Sequence, residues 1–318
     1  MIVAEFAFLQ SFQMQTRTEM EIRSDLNRLI ACKNPVDMKE TMKLIKCPSI
    51  KSFREHIALA KRSILNFISE ESTSSRQMYY ENLDDLDIKP KRVTDLSKSL
   101  CAYLNIDRTN FNILPQRRGI MLSRGVTIDC FNSDLGKEET VSFIGSGKIP
   151  YLKTITNIHV PLKSGLVLIE KDGILDSVYR TISKNPKLAY KVSVITGKGQ
   201  SDNSTLKFIE KFEHLFDRVI TLTDPDPYGV IIALKFIQAA PKAIPLVLKR
   251  RSDKKSTTIT SKENKMVANL KKKIDKNLDL KSKLGFVLNA FEKSGKTNIE
   301  NCDQSAMKED LFSALKGL

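Results

Sequence analysis

The sequence predicts an α/β chain of two parts: a helical first domain over residues 1–145, and a second domain over residues 146–318 built on a parallel sheet. Three observations carry this expectation. At 318 residues the chain is longer than one hydrophobic core usually serves. Its second half alternates short, continuous apolar runs with stretches of helical periodicity. Its first half shows apolar residues at spacings of three and four instead.

Residues 49–67 follow Pro48 without Gly or Pro, and Phe53, Ile57, Ala60, Ile64 and Phe67 fall on one face, so they predict an amphipathic helix. A second helix is expected over 93–104, ended by Asn105. Beyond it, 112–114, 119–122 and 126–128 read as short strands, with Gly125 at a turn. Helices followed by a small hairpin suit a winged-helix DNA-binding module.

From Leu162 the period changes. Apolar runs at 165–169, 192–195, 219–222 and 244–248 predict four strands, and helical stretches at 174–183, 205–215 and 228–239 lie between them. Strands of this kind are buried on both faces, which implies a parallel sheet covered on both sides. From Lys249 the chain is Lys-rich, with KRRSDKK and NLKKKIDKN runs, and reads as a basic segment followed by helices.

Lys and Arg number 52 against 37 Asp and Glu, a formal charge of +15, so polyanions are the expected partners. The five cysteines are scattered and form no CxxC pair, which predicts a reducing compartment and no structural zinc. Three histidines without HExxH spacing argue against a histidine-based or zinc hydrolase. The first residues carry no positive region ahead of their apolar ones and do not read as a secretory signal. No apolar stretch approaches membrane-spanning length.

Ligands of an α/β sheet gather beyond the carboxyl ends of its strands. Glu170 closes the first apolar run, and Asp224 and Asp226 close the third within Thr-Asp-Pro-Asp-Pro-Tyr-Gly. Alternate residues of an extended segment point the same way, and Pro225 and Pro227 fix φ, so both carboxylates can face one ion. Oxygen ligands without His or Cys favour Mg²⁺. The competing role is capping of the next helix, which would account for one Asp but not for both. Between these runs lies Gly197-Lys198-Gly199, where the backbone can approach a phosphate or simply turn.

Upstream, Arg76 lies four residues before Tyr80 in Ser-Arg-Gln-Met-Tyr-Tyr. On a helix the two share a face, which would set a guanidinium beside a phenol that is a poor nucleophile without help. Tyr79 would project about 100° away.

A strand-ending Glu followed by Asp-x-Asp resembles the Toprim domain of topoisomerases, bacterial-type primases and some nucleases, over residues 162–248. With Arg-x-x-Tyr-Tyr in a helical first domain, the whole resembles the A subunit of topoisomerase VI and its meiotic relatives, the Spo-eleven family, over residues 50–240. Leu104-Asn-Ile-Asp-Arg108, Arg118-Gly119, Gly125, Ile149-Pro150 and Gly197-Lys-Gly199 support the match. Two places depart from it: Gln200-Ser201-Asp202 stands where the family has Tyr-Pro-Asp, and Leu206-Lys207 near its arginine.

The resemblance implies that Tyr80 is the nucleophile, aided by Arg76, and that Glu170, Asp224 and Asp226 bind Mg²⁺. It further implies that Lys198 and Arg118 contact double-stranded DNA. It implies a homodimer, or a heterotetramer with an ATPase-like B subunit, working with accessory recombination proteins on nuclear chromosomes. The chain has no Walker-type loop of its own. The product would be a double-strand break with 5′-phosphotyrosyl ends that initiates meiotic recombination. The rival readings are the cleaving component of a type IIB topoisomerase, a Toprim nuclease using activated water, and a non-catalytic DNA-binding scaffold.

Overall fold

The structure is a computed structural model. It describes residues 18–32, 34–68, 73–80, 89–106, 113–114, 118–132, 136–246, 258–294, 296 and 302–318. The chain divides into two compact units, Met1–Gln116 and Arg117–Leu318.

The first unit is helical. Its longest helix, Ile50–Ile68, buries Phe53, Leu59 and Ala60 against Ile22, Leu26 and Leu29 of helix Glu19–Ala31 and Val93, Leu96 and Leu100 of helix Pro90–Leu104. Pro90 starts the last of these at the position where a missing N–H costs nothing, and Asn105 ends it in the left-handed conformation that Asn tolerates, as expected. His56 is buried, with Nδ1 2.7 Å from the Ser52 carbonyl, and burial lowers its pKa, so it serves the core. A two-residue parallel ladder pairs β1 (Thr73–Ser74) with β2 (Ile113–Leu114).

The second unit holds a six-stranded sheet. Its strands are β3 (Ile120–Leu122), β6 (Gly147–Lys148), β8 (Gly165–Ile169), β9 (Val192–Thr196), β10 (Arg218–Leu222) and β11 (Ile244–Pro245), in the order β11-β10-β8-β9-β3-β6. The four later strands are mutually parallel, as the apolar runs predict. Helices Leu175–Ser183, Asn203–Phe212 and Pro227–Ala239 form the crossovers between them. Every residue of β8 and β9 is buried. Leu166 and Leu168 pack with Phe208, Phe212 and Val230 on one face, while Val167 and Ile169 pack with Val178, Ile182 and Leu311 on the other. A strand with two buried faces has no polar side to alternate with, which is why its sequence is continuously apolar.

The strands expected to form a small hairpin do otherwise. Ile120–Leu122 pairs antiparallel with β9 and β6, whereas β4 (Thr127–Asn132) pairs with β5 (Lys137–Ser142) and β7 (Ile155–His159) in a separate three-stranded sheet. Three helices, Ser261–Asp275, Leu278–Ser294 and Gln304–Ala314, follow the sheet in the basic region. The KRRSDKK run lies outside the described residues. None of the five cysteines forms a disulfide. No helix among the described residues is long and apolar enough to cross a membrane.

Candidate metal centre and nucleophile

Parallel strands bring their carboxyl ends to one edge, and register decides what meets there. Leu222 of β10 lies opposite Ile169 of β8, so Glu170 and the loop after Leu222 leave the sheet side by side. Backbone hydrogen bonds extend the pairing: Glu170 N–H donates to the Leu222 carbonyl at 3.0 Å. In return, the Asp224 N–H donates to Glu170 Oε2 at 2.8 Å. The Glu170 and Asp224 side chains are buried, and Asp226 is half-buried.

Asp226 is the N-cap of helix Pro227–Ala239, its Oδ1 accepting the Gly229 N–H at 2.7 Å. Capping thus accounts for one oxygen of one Asp, and Asp224 takes no part in it. The turn between the two aspartates is tight, with the Asp226 N–H donating to the Asp224 carbonyl at 2.8 Å. Gly229 is required for it, because a Cβ there would stand 2.0 Å from the Asp224 carbonyl oxygen.

The three acids share one electrostatic environment. Burial pushes the Glu170 carboxyl up to about 7, against the pull of the Asp224 N–H, and the charges of Asp224 and Asp226 push it further. Burial likewise raises Asp226, opposed by the Gly229 N–H and reinforced by Asp224. Lys171 answers part of this charge, its Nζ lying 2.8 Å from Asp224 Oδ2. Among the described residues, no three His, Cys, Asp or Glu side chains already converge on a point that would hold a metal ion. Each acid turns an oxygen to a protein partner instead: Glu170 to a backbone N–H, Asp224 to Lys171 and Asp226 to its helix. The donor set itself fits a hard divalent cation, being clustered carboxylate oxygens in a buried, under-neutralised site.

The Gly197-Lys198-Gly199 loop closes over this edge. Gly199 N–H donates to the Glu170 carbonyl at 2.6 Å, and the Thr196 hydroxyl donates to the same oxygen at 3.3 Å. Lys198 and Gly199 both adopt positive φ, 55° and 88°. Lys198 Nζ lies 3.4 Å from Asp172 Oδ2, with both side chains about half exposed. Gly199 and Thr196 therefore pin the Glu170 backbone at the end of β8. Arg118, exposed, donates its backbone N–H to Asp202 Oδ2 at 3.2 Å, and Asp202 caps helix Asn203–Phe212.

Tyr80 belongs to the first unit, as the last residue of helix Ser75–Tyr80. Met78 is fully buried in the helical core and anchors this short helix. Two residues further on is about 200° around the helix, so Tyr80 comes out on the far side, 77% exposed. Arg76 shares the helix, and its side chain, like that of Tyr79, lies outside the described ones.

Sequence reasoning missed Lys171 and Gly229. The first had a signal in its place beside Glu170. The second had one in being a glycine in the first turn of a helix, where only a close approach makes the lack of a side chain useful.

A parallel sheet with a strand-ending Glu and a later Asp-x-Asp defines the Toprim class. Residues 166–302 match the family model for the Toprim domain of Spo11 and the topoisomerase 6 A subunit. The chain is also 27% identical over 178 residues to the meiosis-specific protein SPO11 of Saccharomyces cerevisiae, a match covering 52% of this chain. It spans 44% of that protein's length. Both similarities are to the Spo11/topoisomerase VI A-subunit family, the family its motifs resemble.

Proposed function

We propose that the protein forms DNA double-strand breaks by topoisomerase-like transesterification in meiotic recombination, with Tyr80 as nucleophile. Glu170, Asp224 and Asp226 are the ligands of Mg²⁺ in this reading. The observation that carries it is the joining of Glu170 and Asp224 across adjacent strand ends, with Asp226 two residues on, inside a segment that matches the Toprim domain of Spo11 and its topoisomerase relatives. The exposed Tyr80 phenol supports it, as does the relative's description as meiosis-specific.

The Tyr80 oxygen attacks a backbone phosphorus. The new P–O bond to tyrosine forms as the P–O3′ bond breaks, leaving a 5′-phosphotyrosyl end and a 3′-hydroxyl. The phenol loses one proton and the 3′ oxygen gains one, so no oxidant or nucleotide is consumed. When bound, Mg²⁺ would supply charge neutralisation at the leaving oxygen. Glu170, Asp224 and Asp226 would hold the ion, and the loop at 197–199 fixes the Glu170 backbone. Arg76 is assigned to stabilise the attacked phosphate, and Lys198 and Arg118 to contact the duplex backbone. Residues 1–145, read from the sequence as the helical domain that carries the tyrosine, are assigned the DNA-binding role. Two strands need two tyrosines, which calls for a dimer. Its partners on nuclear chromosomes are accessory recombination proteins and an ATPase-like B subunit.

The test is a covalent adduct. Protein incubated with duplex DNA and Mg²⁺, with any partner proteins required, is denatured and assayed for DNA linked to Tyr80. Tyr80→Phe abolishes the adduct, and Tyr79→Phe retains it. Cleavage with free 5′-phosphate ends and no adduct would instead identify a nuclease using activated water.

A further inference from the structure

The carboxylate edge contains one cation that the proposed reaction does not use. Lys171 directly follows Glu170, and its ammonium lies 2.8 Å from Asp224 Oδ2. Asp224 is 4% exposed, whereas the Lys171 side chain is 28% exposed, so the pair joins a fixed, buried acid to a base that reaches in from the rim. From the geometry we infer that Lys171 is a resident counter-ion: it neutralises the carboxylate edge while no metal is bound, and a divalent cation must displace it from Asp224 to enter.

Three features of the site lead there. A divalent cation on the Asp224 carboxylate would repel an ammonium held 2.8 Å from Oδ2, so Lys171 and metal compete for the charge of one carboxylate. A lysine suits the task because it presents a single point charge on a long flexible stem, and its partial exposure leaves it a route outward. Asp224, in contrast, is fixed by backbone contacts on both sides: its N–H bonds Glu170 and its carbonyl accepts the Asp226 N–H. Displacement therefore moves the lysine and leaves the ligand where it stands. Lys171 is thus a positioning residue that acts through Asp224. It sets the metal affinity of the site and limits the repulsion among its acids in the empty state.

This inference rests on the reading of Glu170, Asp224 and Asp226 as metal ligands, and the experiment separates the two. Full-length wild type, Lys171→Met and Lys171→Arg are titrated with Mg²⁺, and in parallel with Mn²⁺, by calorimetry and by thermal shift without DNA. Lys171→Met is expected to melt lower than wild type in chelator. It is also expected to bind Mg²⁺ on the order of tenfold more tightly, the effect of removing one competing charge at ion-pair range. Lys171→Arg keeps the charge, and is expected to retain the wild-type melting temperature in chelator and a Mg²⁺ affinity within a factor of a few. Equal or weaker Mg²⁺ binding by Lys171→Met, with wild type responding to the metal, would make Lys171 a simple brace and overturn the inference. Absence of any Mg²⁺ or Mn²⁺ response in wild type would overturn the metal site and the inference with it. If Lys171→Met does not fold, Lys171→Arg and Lys171→Gln decide: affinity that rises only when the charge is lost supports competition, and unchanged affinity in Lys171→Gln refutes it.

Discussion

Glu170→Gln should make the metal-free protein more stable, and only at neutral to alkaline pH. Burial and the neighbouring aspartates raise the Glu170 carboxyl from 4.5 to about 7. A group whose pKa is raised on folding contributes stability that is fully present below its unfolded value, near 4.5, and is lost as pH rises through about 7. Above that, the folded protein carries an ionised carboxylate that its surroundings disfavour. Each pKa unit is worth about 1.4 kcal/mol, and allowing for the part of the side chain that still meets solvent, the cost at pH 8 is about 2–3 kcal/mol. Glutamine retains an oxygen for the Asp224 N–H, so the 2.8 Å contact need not be lost. For a domain of this size the gain corresponds to a rise of about 5–10 °C in Tm. The assay is thermal denaturation of both proteins in chelator from pH 5 to pH 8.5. The gap should open between pH 5 and pH 7 and then level off, and Mg²⁺ should raise Tm in wild type but not in the variant. A variant no more stable than wild type at pH 8, or a gap of equal size at pH 5, would refute the claim that the site is destabilised by its own charge.

Gly229→Ala places a Cβ 2.0 Å from the Asp224 carbonyl oxygen, so the Asp-x-Asp turn must shift. A loss of about 2 kcal/mol or more in denaturant unfolding and a weakened Mg²⁺ response are expected. The Glu263 carboxyl is held at about 2, chiefly by Lys296 and then by the Thr260 cap, with both oxygens 2.9 Å from Lys296 Nζ. A depressed carboxylate contributes stability present above its unfolded value near 4.5 and lost as pH falls through about 2. Glu263→Gln should therefore be less stable than wild type at pH 7, with a difference in chemical denaturation that shrinks by pH 3. With a formal charge of +15, duplex binding should weaken with salt by about 0.9 log unit per log unit for each phosphate contacted, and a slope near zero in a fluorescence titration would show that the charge is not spent on DNA.

Much of the larger unit was legible because burial on both faces removes any reason for polarity. The runs at 165–169 and 192–195 became β8 and β9, with every residue buried. The strand-ending acids could be named as well, since strand direction in a parallel sheet decides which end of each run faces ligands. The short strand at 120–122 was found, but its partner was not. Three residues of β-propensity state that a strand exists and carry no information about which distant strand completes it; the structure selects β9, in antiparallel register Ile120 to Thr196.

By itself, then, the sequence determined the alternation of strand and helix, the basic charge, and the acids that stand where strands end. Each of these is fixed by local periodicity or by the residue type itself. Only the tertiary structure decided how the acids are divided among their tasks: Asp226 caps a helix, Asp224 pairs with Lys171, and Glu170 receives the Asp224 N–H. Such assignments depend on distances between segments 54 residues apart, as Glu170 and Asp224 are. Glu170 titrates near neutrality for the same reason, because packing withdraws it from water beside two other acids, and no stretch of sequence records that exclusion.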